Sequence, residues 1–336
     1  MTFSSIGDLA QGFVSQRTNA TLRQELAGLT AELSSGRRAD LPSRLSGDYS
    51  ALSGLSARLD ALRAREVANS ELALRAGAMQ AALSTLTEAT ATLAADLALV
   101  STAPDPRGVT AAAETARQVF GQVVGALNAR VADRQLFSGT ATDRPALAPA
   151  EDMLANLAAA TAGATDAAAL EAAVNDWFLA PGGGFELTGY LGGADPLPPA
   201  PLGDGSTADL GTRADDAALR GTLASVALAA LVSNGALAGR PGERADALSR
   251  SAVALRTGEA GLVAVQAAVG TAEAAVEAAA ARNASEATAT EIAIAGLTAA
   301  DPFESATQLE EVRRQLETHY ALTARLSRLT LLEFLR

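Results

Sequence analysis

The chain of 336 residues has no cysteine and no lysine, and only one histidine, His319. Without cysteine there are no disulfides, no thiolate zinc site and no thiol nucleophile. A single histidine rules out a two-histidine metal site within one chain. All 26 basic residues are arginine, which removes a P-loop lysine, Schiff-base chemistry and a lysine general base. Aromatic residues are scarce at 4 %, and the net charge of −12 opposes general nucleic-acid binding, which needs basic patches to displace counterions. No G-x-S-x-G, no G-x-G-x-x-G and no plausible pair of catalytic carboxylates is found, so the expectation is no enzyme, no cofactor and no metal.

The opening MTFSSIGDLAQGF lacks the positive and apolar regions of a cleavable secretory signal. The most apolar run, TLASVALAALV (222–232), has 11 residues and is too short to span a bilayer. These rules predict a soluble chain without membrane insertion, cytoplasmic unless a route needing no cleavable signal exports it.

What is present is alanine, leucine and helical periodicity. The hydrophobic content of 49 % is largely alanine, the best helix former but a poor filler of volume. This predicts long helices joined by thin seams. Leu72, Ala76, Met79, Leu83, Leu86, Thr90, Leu93, Leu97 and Val100 alternate steps of four and three, as in a coiled coil. Leu52, Leu55, Leu59 and Leu62 precede them in the same rhythm, with Glu66 and Asn69 on the seam at a phase slip. Pro104, Pro106 and Gly108 end this helix, and a second carries Val109, Ala113, Ala116, Phe120, Val123, Leu127 and Val131 on one face, running on until Gly139 and Pro145 stop it. From Leu248 to Leu297 the same alternation holds for about fifty residues, against ~12 for a usual globular helix.

The middle differs. Alanine-rich helices are expected at 151–162 and 166–179, then a Gly/Pro-rich stretch with two short strands, then a helix over 215–233. The predicted fold is mainly α: an antiparallel coiled-coil or helical bundle built from the two halves of the chain, with a small, looser α+β domain inserted. Its segments are an N-terminal assembly helix (1–35), one half of the bundle (36–148), a variable middle (149–244), the other half (245–304) and a C-terminal assembly helix (305–336).

Apolar stripes run to the ends of the sequence. Leu9, Phe13, Leu22, Leu26 and Leu29 mark one; Leu309, Val312 and Leu316, then Leu322, Leu326, Leu329, Leu332 and Phe334, mark the other. Chain ends usually fray and are polar, so these stripes are read as a self-assembly interface, mobile in the monomer and helical once assembled. Between the first stripe and the bundle lies LSSGRRADLPS, with Leu33, Gly36, Arg37, Arg38, Pro42 and Ser43. Gly36 is placed to cap a helix and Pro42 to block its continuation, so a structural turn whose arginines pair acids outweighs a phosphate cradle. His319 reads as a packed or surface histidine, Trp177-Phe178 as an anchor of the middle domain, and Asp204, Ser206 and Asp209 as a turn rather than a calcium loop.

Three stretches resemble the flagellin family. They are LSSGRRADLPS; Arg134, Leu136, Phe137, Gly139 and Thr140 within RQLFSGT; and the terminal DPFESATQLEEVRRQLETHYALTARLSRLTLLEFLR, where Phe303 stands in place of a usual tyrosine. The resemblance covers about 1–145 and 215–336 and is strongest to the hook-associated branch at the hook–filament junction. It implies an extracellular structural subunit of the bacterial flagellum, exported unfolded through the flagellar type III channel. The implied partners are copies of itself in a ring, the adjacent hook-associated protein, flagellin and an export chaperone. Flagellin itself, and a cytoplasmic coiled-coil scaffold, are the alternatives.

Overall fold

The computed structural model describes residues 6–41, 48–102, 105–203 and 205–334, with the side chains of 6–9, 101–102 and 326–334 outside the description. The fold is mainly α, a helical bundle with a small α+β insert. In chain order it comprises α1 (Ile6–Ser35), α2 (Ser50–Thr102), α3 (Pro106–Leu127), a hairpin of β1 (Arg130–Val131) and β2 (Arg134–Gln135), α4 (Ala150–Ala160) and α5 (Ala167–Leu179). A π-helical turn (Phe185–Gly189), β3 (Ala200–Pro201), β4 (Thr207–Ala208), α6 (Ala217–Ser233), α7 (Pro241–Thr298) and α8 (Pro302–Phe334) complete it. The chain divides into two compact units, 1–63 with 284–336, and 64–283.

In the unit 64–283, the seam of α2 is buried as the periodicity requires: Ala76, Met79, Leu83, Leu86, Leu93 and Leu97 are each at most 1 % exposed. On α7, Leu248, Leu262, Val269 and Val276 are buried too. The helices run antiparallel, since Gly77 faces Glu273 and Gly270 faces Gln80. The phase slip takes a different form from the one expected. Glu66 is exposed while Leu62 and Asn69 are each 2 % exposed, so the buried seam steps over the charge. Each of these long helices contains a stretch apolar enough, by length and composition alone, to cross a membrane. Alanine supplies much of that character, and the seams rest on protein.

The second helix stops earlier than its apolar stripe suggested. Asp105 accepts from Gly108 N at its start, and it ends at Leu127. Asn128 then turns the chain by pairing both ways with Leu147: its Nδ2 donates to the Leu147 carbonyl at 3.0 Å and its Oδ1 accepts from Leu147 N at 2.8 Å. Val131 therefore lies in a strand, not on the helix. The two-residue turn at Ala132 and Asp133 has positive φ at both positions, the geometry that matches the twist of a tight hairpin.

Every residue from 222 to 232 in α6 is buried, because a helix apolar on all sides must be covered on all sides. It packs against α3 and α5. Beside it Trp177, Phe178 and Phe185 form a ring cluster with centroids 4.6 to 6.2 Å apart. Arginines staple this core to backbone carbonyls: Arg220 Nε donates to the Phe178 carbonyl at 2.8 Å, Arg213 Nη1 to those of Gly193 (3.1 Å) and Ala194, and Arg244 Nη2 to that of Val232 at 3.4 Å. The 200–208 hairpin is present, and Asp209 Oδ1 accepts from Gly211 N at 2.9 Å in a local turn. Asp204 lies outside the described residues.

Burial raises the pKa of both Asp215 and Asp216 above the ordinary carboxylate value of 3.8. The folded state then holds more protons than the unfolded one just above that value, so stability falls as pH rises through the window. Asp216→Asn keeps an oxygen to accept from Arg213 N and removes one titration. It should flatten that fall in urea midpoints measured across the window; a slope equal to the parent's would contradict the assignment.

Candidate assembly surface

The unit 1–63 with 284–336 holds both terminal helices. LSSGRRADLPS begins where α1 ends, and Gly36 caps it with φ +66°, its N–H donating to the Glu32 carbonyl at 2.7 Å. Beyond the cap the loop is stitched to the joint between α7 and α8. Arg38 N donates to the Thr298 carbonyl at 2.9 Å, Ala300 N donates to the Gly36 carbonyl at 3.0 Å, and Arg37 bridges Ala299. Asp301 opens α8 by accepting from the N–H groups of Phe303 and Glu304. Arg38 then reaches Glu304 at 2.6 Å. Glu32 completes the clamp, accepting from Ala39 N at 2.8 Å and from Ser305 Oγ at 3.0 Å. Pro42 and Ser43 lie outside the described residues.

This clamp sets α1 and α8 side by side and antiparallel. Far along the pair, His319 Nε2 lies 3.0 Å from the Ser15 carbonyl, and Arg23 donates to the Tyr320 hydroxyl at 2.7 Å. That guanidinium draws the Tyr320 hydroxyl below its ordinary pKa. Burial along the pair is thin. Leu22 (8 % exposed) and Val312 (9 %) are buried, while Leu26, Leu29, Leu309 and Leu316 are half-buried. Phe13 (69 %), Leu322 (54 %) and Leu33 (41 %) stand in solvent, together with Val14 and Phe303. The side chains of Leu9, Leu326, Leu329, Leu332 and Phe334 are outside the described set. The terminal stretches, expected to be mobile in the monomer, are α-helical here over 6–35 and 302–334.

The two arginines of the loop have different tasks. Arg38 is an acid-pairing residue and Arg37 contributes backbone. The Arg38–Glu304 ion pair is half in solvent, so Arg38→Ala should cost under about 1 kcal/mol. Gly36→Val must force a β-branched residue into the left-handed region, at about 1 to 2 kcal/mol for the conformation alone. Urea unfolding of the full chain should rank Gly36→Val as the more damaging; the reverse order would remove the turn from its structural role.

The second stretch, RQLFSGT, belongs to the other unit and to its core. Leu136 (2 %) and Phe137 (0 %) are buried while Arg134 is exposed. Gly139 has φ +60°, and a Cβ there would lie 2.5 Å from the Asp195 carbonyl oxygen. Sequence reasoning missed the roles of Glu32 and Ser15, although an acid one turn before a capping glycine was there to be read. Among the described residues no group of three or more His, Asp or Glu could hold a metal ion.

No protein-family model matches the sequence, and no curated protein matches it. Among solved structures, the fold is similar to that of a Vibrio parahaemolyticus protein designated a flagellar hook-associated protein. The TM-score is 0.52 and the identity 14 %, with 75 % of this chain and 99 % of that one covered. At this identity the likeness is one of fold alone.

Proposed function

We propose that this chain is an extracellular structural subunit of the bacterial flagellum, placed at the hook–filament junction. It works by helix packing rather than by catalysis. The observation that carries this reading is the clamped pair of terminal helices with Phe13, Val14, Phe303 and Leu322 left in solvent. By the Ser15–His319 pairing, Phe13, Val14 and Leu322 fall near one end of the pair, and an apolar patch of that kind is the mark of a partner surface. The similarity of fold to a protein designated hook-associated, and the three stretches resembling the flagellin family, supply the context.

On this reading copies form a ring, with the adjacent hook-associated protein on one side and flagellin on the other. A flagellar chaperone covers the apolar ends before export. Deleting the gene should leave hooks intact while flagellin is shed into the medium. Filaments of normal length on such cells would end the proposal, as would finding the protein only in the cytoplasm and never in sheared flagella. Electron microscopy of the purified protein separates this reading from a flagellin one: short, closed assemblies fit a junction subunit, long filaments a flagellin.

A further inference from the structure

Along one flank of the α1–α8 pair runs a groove of about 640 Å³. Leu29 and Val312 contribute its apolar floor, and Glu25, Glu311 and Asp40 stand at its rim. It follows α1 from Thr21 to Glu32, about 16 Å at the rise of an α-helix. Gly28 sits in its lining, and a Cβ there would make only an ordinary contact, 3.8 Å to the Ala39 Cβ. Nothing in the packing of the pair thus requires a glycine in the middle of this helix, where glycine is disfavoured. Its effect is to keep the groove deep. Glu311 is already ion-paired with Arg314 at 2.5 Å, which leaves Glu25 as the rim carboxylate for which no ion pair is seen among the described residues.

The sequence holds a segment that fits. Residues 321–332 read ALTARLSRLTLL, and within them Leu322, Leu326 and Leu329 recur at steps of four and three. That stripe spans about 10 Å of helix, within a segment of about 15 Å. Arg325 and Arg328 lie on one shoulder of it, opposite in sign to the rim of the groove. An amphipathic helix laid into a groove by leucines at this spacing is a general mode of recognition. The segment cannot reach the groove of its own chain. The antiparallel pairing sets Ser15 beside His319 and Glu32 beside Ser305, so residue 24 lies level with about residue 312. Leu329 is then about 25 Å further along α8.

We infer that this groove seats residues 322–332 of a second copy of the chain. The inference rests on the assembly reading above and specifies which surface of one copy receives which segment of the next. Charge complementarity commits it to this occupant, because an acidic groove repels the acid-rich remainder of the chain.

The absence of cysteine makes the test clean. Full-length Gln24→Cys and Leu329→Cys variants, carrying different tags, are mixed under oxidising conditions at assembling concentration. The expected result is a disulfide-linked heterodimer joining the two tags. Adding Gly28→Leu to the groove partner should cut that product at least tenfold while its helical circular dichroism is retained. Glu25→Arg should cut it similarly, and Arg325→Glu in the tail partner should restore it. Assemblies visible by electron microscopy that yield no heterodimer overturn the groove and leave the flagellar reading standing. A heterodimer unaffected by Gly28→Leu and by the charge reversal overturns the groove as well. Failure of the flagellar reading is registered separately, by normal filaments on cells lacking the gene.

Discussion

On the assembly reading proposed above, a chain cut after Leu316 should fold its 64–283 unit as before but form no assemblies, and cells relying on it should not swim. The deletion takes away Leu322, Leu326, Leu329, Leu332 and Phe334, each worth roughly 1.5 to 3 kcal/mol on full burial. Even at the lower figure, five of them amount to about 7 kcal/mol, roughly five orders of magnitude in an association constant. It also removes His319 and Tyr320, and with them the contacts to Ser15 and Arg23 at the far end of α1. The clamp at the near end is untouched, since Arg38, Glu32, Asp301, Glu304 and Ser305 all remain. Urea unfolding of the truncated chain should therefore keep the transition of the larger unit, while electron microscopy finds no closed assemblies. Restored motility from the truncated gene would remove the terminal helix from the mechanism.

Gly139→Val should be strongly destabilising in the larger unit, costing about 2 to 5 kcal/mol. Two effects combine. The backbone at φ +60° is in a region that costs an L-residue about 1 to 2 kcal/mol. The added Cβ would also sit 2.5 Å from the Asp195 carbonyl oxygen and 2.9 Å from Arg213 Cδ. To make room, the bond from Thr140 N to that carbonyl (3.1 Å) must open, and Arg213 must leave the Gly193 and Ala194 carbonyls. Overpacking of this kind costs about 1 to 3 kcal/mol more. A domain is stable by only about 5 to 15 kcal/mol, so the loss is visible directly in a urea midpoint. Gly205→Ala is the control, because it too has positive φ, yet nothing lies within 4 Å of its Cβ. If the two variants lose similar stability, close packing at Gly139 is not the reason for the glycine.

These residues also show how far the sequence could be read. The α2 and α7 seams were legible because a four-three alternation has one physical solution, a helix burying one stripe. The early stop of α3 was not, because its stripe continues through Val131 and the signal that overrides it is Asn128 reaching Leu147, a contact across nineteen residues of chain. The density around α6 escaped for a related reason. Alanine is small, and whether small side chains make a thin seam or a tight core depends on what surrounds them. At the candidate surface, the leucine stripes and the capping role of Gly36 were visible in local pattern. The groove was not: it exists because a glycine one turn from Glu32 and a loop alanine leave a hollow beside a second helix, and no spacing encodes that.

The arginine staples carry a consequence for handling the molecule. Reagents that attack primary ε-amines, including common fixatives and succinimidyl labels, find no side-chain target in this chain, because it has no lysine. Dicarbonyl reagents such as phenylglyoxal instead seek guanidinium groups, and those of Arg213, Arg220 and Arg244 are the groups that hold backbone carbonyls around the core. Amine chemistry should pass over the side chains of the folded chain, whereas arginine modification carried far enough to reach the largely buried Arg213 and Arg220 should loosen it from within.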